Sequence, residues 1–262
     1  MDLFIKFLVA AVGAGTPLLF GTVGEILNEK VGHLNLGVEG MMAIGACAGF
    51  MAGYLSDNFA LALLAAFAAG VLAAGVYAVL TVTFLANQNV AGLTMTIFGV
   101  GLSNFIGVYM VGKSETSTLK LPENVTAQMR SVHLPVLSDL PVVGELLFSY
   151  NPFVYIGILV AAVCGYYLYR TKTGLNVQAI GENPAAADAA SIPVNRWKYI
   201  NILLGGGICG IGGAYCSMII NSGVWISNSV NGLGWIAVAL VIFAAWKPHV
   251  AILGSFVFGA LR

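Results

Sequence analysis

Residues 59–85 read FALALLAAFAAGVLAAGVYAVLTVTFL, with no charged side chain among them. Crossing the roughly 30 Å hydrocarbon core of a bilayer takes about 20 apolar residues in a helix, and this run exceeds that. It is far longer than the roughly 9–11 residues of a membrane barrel strand. In hydrocarbon every backbone N–H and C=O must be paired inside the protein, so such a run is a helix. Similar apolar runs lie near 3–26, 34–55, 89–112, 151–170, 198–220, 232–246 and 249–262. The expected fold class is all-α: a polytopic transmembrane bundle of about eight helices in a single domain, 1–262.

Composition points the same way. Hydrophobic residues make up 59% of the chain and charged residues 8%, and the mean hydropathy is +0.91. A soluble globular domain carries roughly 25% charged residues. Eleven basic and eleven acidic residues balance to a net charge of zero, so no basic field invites nucleic acid. Cys47, Cys164, Cys209 and Cys216 sit in apolar stretches without C-x-x-C spacing, which marks them as packing residues. The opening run, MDLFIKFLVAAVGAGTPLLFGTVGEIL, lacks a basic leading region and a good cleavage site. It is read as a first membrane helix, kinked at Pro17. The last run stops at Arg262 with no polar tail after it, so the protein is expected either to be truncated there or to continue beyond it.

Two polar segments interrupt the pattern, Lys113 to Pro152 and Arg170 to Lys198. One apolar run separates them, so they face opposite sides of the membrane. Cytoplasmic loops carry excess Lys and Arg close to helix ends. Arg170, Lys172, Arg196 and Lys198 hug the membrane ends of the second segment, whereas Lys113, Lys120 and Arg130 mostly stand further off. The second segment is therefore expected to be cytoplasmic and the first extracytoplasmic. The same alternation puts Lys30, His33, Lys247 and His249 inside and the amino terminus outside. Gly45, Gly49 and Gly53, and again Gly206 and Gly210, recur at every fourth position, a spacing that lets helix backbones approach closely.

Gly107 to Ser114, GVYMVGKS, matches a phosphate-loop pattern letter for letter. That loop works where a strand leads in and a helix leads out. Here an apolar helical run leads in, on the side expected to be external, so ATP binding is rejected. No H-E-x-x-H or G-x-S-x-G occurs, and His33, His133 and His249 fit no metal spacing. Neither an enzyme site nor a cofactor or metal is expected. The N-V-T at Asn124 matters only in a secretory eukaryotic setting.

Polar residues inside apolar runs carry more information. Glu39 lies in LNLGVEGMMAIGACAGF with Asn35 four residues before it, which would place both on one helix face. An ionised residue at a helix centre costs about 2.5–3.5 kcal/mol on insertion scales. Such groups line a cavity or lock helices together, and both readings stand. Gly37 and Gly40 would permit a helix break whose carbonyls line a cavity. Asn87, Gln88 and Asn89 fall at a helix junction and read more as a turn or cap than as ligands, and Asn104, Asn221, Asn228 and Asn231 are weaker candidates. The expected pathway residues are Asn35, Glu39, Gln88, Asn89 and Asn104. In the second polar segment Asn183 can cap, and Pro184 can open, a short helix to about Ala190, ended by Ile192-Pro193. A short cytoplasmic helix between two membrane helices suits docking to a partner; an ordinary surface turn is the plainer reading.

GEILNEKVGHLNLGVEGMMAIGA, GLNVQAIGENPAAADAASIPV, LPVLSDLPVVGELLF before NP, and GWIAVALVIFAAWKPHVAILGSFVFGA together carry a family resemblance. The chain resembles ABC-transporter permeases of the branched-chain amino acid and sugar permease superfamily, and within it the shorter permease of bacterial nucleoside importers. It departs from that pattern at Gly232-Leu233-Gly234, where a Gly-Arg-Gly-like triplet is expected, and at Ala244, where Gly is. The resemblance implies the type II importer architecture and a multi-pass subunit of the bacterial cell membrane without its own ATPase site. It implies a cytoplasmic ABC ATPase partner, a second permease in a heterodimer, and an extracytoplasmic substrate-binding lipoprotein. It also implies ATPase coupling through Gly181, Glu182, Asn183, Pro184 and Ala187, and a nucleoside cargo, with simple sugars or another small polar solute as the alternative. A stand-alone carrier would need ion-coupling acids, and Glu39 is nearly alone. A membrane enzyme would need clustered catalytic groups.

Overall fold

The computed structural model describes residues 2–114, 118–131 and 148–261. Its helices are α1 (Asp2–Lys30), α2 (Val38–Ser56), α3 (Phe59–Ala78), α4 (Gln88–Lys113), α5 (Glu123–Gln128), α6 (Pro152–Arg170), α7 (Lys172–Glu182), α8 (Pro184–Ala189), α9 (Val194–Tyr215), α10 (Leu233–Phe243) and α11 (Pro248–Ala260). Wider π-type turns, Val79–Thr83 and Cys216–Ile220, extend α3 and α9. The only strand-like pairing among the described residues is an isolated bridge between Lys120 and Val224.

Polar residues between the apolar runs satisfy the helix starts. Asn58, Asn87, Asn151, Thr171 and Asn183 each accept a backbone N–H two or three residues on. Such caps matter where no water can replace them. Among the described residues six helices are long and apolar enough to cross a membrane: α1, α2, α3 with its extension, α4, α6, and α9 with its extension. The chain is a multi-pass membrane protein. The last two runs, expected as spanning or membrane-embedded helices near 232–246 and 249–262, form the shorter helices α10, of 11 residues, and α11, of 13 residues within this sequence.

Helices α2 and α9 are the most enclosed, whereas α3, α4 and α6 expose side chains such as Leu72, Ile97, Phe105 and Leu159. The small-residue spacing does what it foretold. Gly45 of α2 abuts the Gly210 backbone of α9, and Gly70 of α3 abuts Gly206. Without a hydrophobic drive between helices in lipid, this backbone proximity supplies the packing. All four cysteines are buried thiols.

Two readings need correction. The second helix begins at Val38, so Asn35 lies outside it and shares no helical face with Glu39; the break that Gly37 and Gly40 were expected to permit lies at residues 31–37. The polar segment after Arg170 carries a further helix, α7, ahead of the expected short one. Pro17 lies inside α1, the expected first membrane helix. The phosphate-loop lookalike is the end of helix α4, as its apolar lead-in required. His133, Ser138 and most of the stretch 134–148 lie outside the described residues.

Candidate functional site

A cavity of about 240 Å³ opens between α2, α4 and the 228–232 segment. Glu39, Ser103, Asn104, Asn228, Ser229 and Asn231 give its polar lining, and Ala43, Ala46, Val100, Val230 and Gly232 the rest. Gly40 packs backbone to backbone against Gly99, near the midpoint of α4, so the cavity lies deep along that helix. Asn104 Nδ2 donates to Asn228 Oδ1 at 2.7 Å, and Asn228 N donates back to Asn104 Oδ1 at 2.9 Å.

Glu39 is 6% exposed. Its Oε1 accepts the Gly232 N–H at 2.8 Å and its Oε2 the Gly234 N–H at 2.7 Å. The carboxylate therefore lies within the first turn of its own helix and caps the start of α10, so two helix N-termini converge on one negative group.

The connection 31–37 leads into α2 and is irregular, so its backbone must be paired by side chains. Leu34 N donates to Gln88 Oε1 at 3.0 Å, and Leu34 O accepts from the Tyr77 hydroxyl at 2.8 Å. Asn35 N donates to Glu25 Oε1 at 2.7 Å, and Leu36 O accepts from the Thr96 hydroxyl at 2.9 Å. Asn35 Oδ1 accepts from Gly37 N at 2.9 Å. Asn35 is fully buried and does not line the cavity. Gln88 and Asn89 open α4, roughly 24 Å along its axis from Asn104, and do not line the cavity either. Glu25, which accepts from Asn28 Nδ2 at 2.8 Å, escaped the sequence reading; an acid inside the first apolar run was its signal. In this connection burial, then the nearby Lys198 charge, lowers the His33 pKa to about 4, so the imidazole is neutral.

Beyond α7, Asn183 Oδ1 accepts from Ala186 N at 3.1 Å and Pro184 takes the first position of α8, the expected cap. Glu182, Asn183 and Pro184 are exposed, whereas Ala187 is buried. Gly181 turns inward, its backbone against Lys30 and Gly32 at the end of α1. Pro184, Asp188, Pro193 and Arg196 border an open groove of about 520 Å³ on the same end. Among the described residues no cluster of His, Cys, Asp and Glu could hold a metal.

The family described as Branched-chain amino acid transport system / permease component matches residues 7–262. The chain belongs to that family. The permease is 37% identical over its whole length to a putative glucose ABC transporter permease protein of Haloferax volcanii, covering 77% of that protein. It is 32% identical to the nucleoside ABC transporter permease protein of Lactococcus lactis, over 93% of this chain and 77% of the relative. To a guanosine ABC transporter permease protein of Bacillus subtilis it is 32% identical, over 93% and 76%. No solved structure matches. The permease is thus a transport component of an ABC system and not an enzyme, and its family implies association with an ATPase and a substrate-binding protein.

Proposed function

We propose that this permease carries nucleosides inward through the bacterial plasma membrane, in a heterodimer with a second permease and with a lipid-anchored binding protein outside. The observation that carries the reading is the cavity, whose polar lining is amide and hydroxyl apart from a carboxylate already engaged by two backbone N–H groups. Neutral donors and acceptors suit ribose hydroxyls. The nucleoside and guanosine permeases among the relatives support the cargo. The α7–α8 end is the cytoplasmic face. Exposed Glu182, Asn183 and Pro184 meet the ATPase there, and Gly181 and Ala187 hold that short helix from behind. Closure of the ATPase then biases states that the bundle already samples.

A simple-sugar reading has its own support. No aromatic side chain among the described residues lines the cavity, bases are commonly held by aromatic stacking, and two relatives are named for glucose. In the nucleoside reading the stacking surface comes from the second permease. Uptake of labelled uridine and guanosine into cells expressing the complete system decides between them. Unlabelled nucleosides are expected to compete and glucose not to; competition by glucose alone would replace the nucleoside reading with the sugar one.

A further inference from the structure

Helix α10 is tied at both ends by carboxylates from other elements. At its start Glu39 takes the Gly232 and Gly234 N–H groups, and a Cβ on Gly234 would lie 2.5 Å from the Glu39 backbone. At its far end the chain turns through Ala245 and Trp246, both left-handed at φ 48° and 54°. Two successive side-chain-bearing residues in that region are strained and persist only where their surroundings hold them. Here the holding contacts are specific. Trp246 Nε1 donates to Glu29 Oε2 at 2.5 Å, and Trp246 O accepts from the Tyr169 hydroxyl at 3.0 Å. Beside them Gly181, the last turn of α7, packs on the Lys30 carbonyl. A hollow of about 380 Å³ bordered by Glu29, Gln178, Glu182 and Trp246 leaves the end of α7 room to shift.

We propose that α10 is the rod linking the α7–α8 loop to the cavity, with Glu29 and Trp246 as positioning residues at its driven end. Displacement of α7 bears on the end of α1 at Lys30, and Glu29 hands it to Trp246. An 11-residue helix of about 16 Å transmits it with little bending. The other end carries Asn231 and Gly232, which line the cavity. The route rests on the ATPase-coupled reading of the α7–α8 loop, and its test does not depend on which cargo is carried.

All native cysteines are buried, so Asn231→Cys gives one reactive thiol at the cavity rim. In the purified complete complex, its rate of modification by a maleimide is measured with and without ATP plus vanadate. The rate is expected to change with nucleotide, and Trp246→Phe, which keeps the ring and removes the N–H, is expected to cut that change about tenfold while ATP hydrolysis stays within about twofold. Glu29→Leu should act as Trp246→Phe does, and Glu29→Gln, which keeps an acceptor oxygen, should restore most of the response. A nucleotide response that is absent in the parent, or unaltered in Trp246→Phe, overturns the proposal. So does a parallel loss of hydrolysis, or failure of both Trp246→Phe and Glu29→Leu to assemble, since either would make the contact structural.

Discussion

At the scale of the residue, Glu39 meets two readings that the sequence could not separate. Its position on the cavity supports contact with cargo, and its two bonds to Gly232 and Gly234 make it the anchor of α10. The balance between them follows from what a substitution leaves unpaired. Glu39→Leu strands two backbone N–H groups, one fully buried, at about 1–3 kcal/mol each, so a loss of about 2–6 kcal/mol in stability is expected. Glu39→Gln keeps one acceptor and turns an amide N–H against the other donor, so about half that loss is expected. Thermal unfolding of the solubilised permease, read beside uptake per folded molecule, checks this. Full stability of Glu39→Leu would remove the anchor role. Asn35 and Glu25 show the same economy: buried polar groups spent on an irregular stretch of backbone. Spacing alone put Asn35 on Glu39's face because LNLG reads as apolar helix, and only the folded chain shows the break before Val38.

At the scale of the element, the long runs were legible because hydropathy over about 20 residues is a strong signal and lipid permits no alternative to a helix. The cap at Asn183 was legible for a local reason, since the Asn-Pro pair fixes a helix start without tertiary help. Helix α7 was missed because its polar composition resembles a loop, and its helicity rests on Val177 and Ile180 packing inward. The end of α10 at Phe243 was missed because its apolar run continues through Ala244 to Trp246, where the chain already turns. Glycines separate by what faces them. Gly210 meets the Ala66 carbonyl and the Gly70 backbone, rigid atoms that cannot yield, so Gly210→Ala is expected to cost about 1–3 kcal/mol. Gly101, on the outer face of α4, has nothing within 4 Å, so Gly101→Ala should be neutral or gain up to about 1 kcal/mol from helix propensity. Thermal unfolding of the two variants side by side checks the contrast; equal effects would mean that the α3–α9 contact is not close-packed.

At the scale of the whole molecule, the fold gathers charge more decisively than the linear sequence does. The margin between the two polar segments was one residue. In the structure Lys30 approaches the Tyr169 ring and Gly181 rests on its carbonyl, while Lys247 follows the Trp246 turn that bonds to Glu29. Lys30 and Lys247 thereby join Arg170, Lys172, Arg196 and Lys198 at the α7–α8 end. The opposite end, where the Lys120–Val224 bridge and α5 lie against the α2–α3 turn through Asn124 and Asp57, holds Lys113, Lys120 and Arg130. Excess Lys and Arg near helix ends marks the cytoplasmic side, so α5 is expected to face outward and α8 inward. A membrane-impermeant maleimide applied to intact cells reads this directly, because the four native thiols are buried. Glu123→Cys, at the exposed start of α5, should be modified, and Asn183→Cys only after the membrane is opened. The reverse pattern would place the α7–α8 loop on the side without ATP, and with it would fall both the docking of an ATPase on Asn183 and Pro184 and the inward direction of transport.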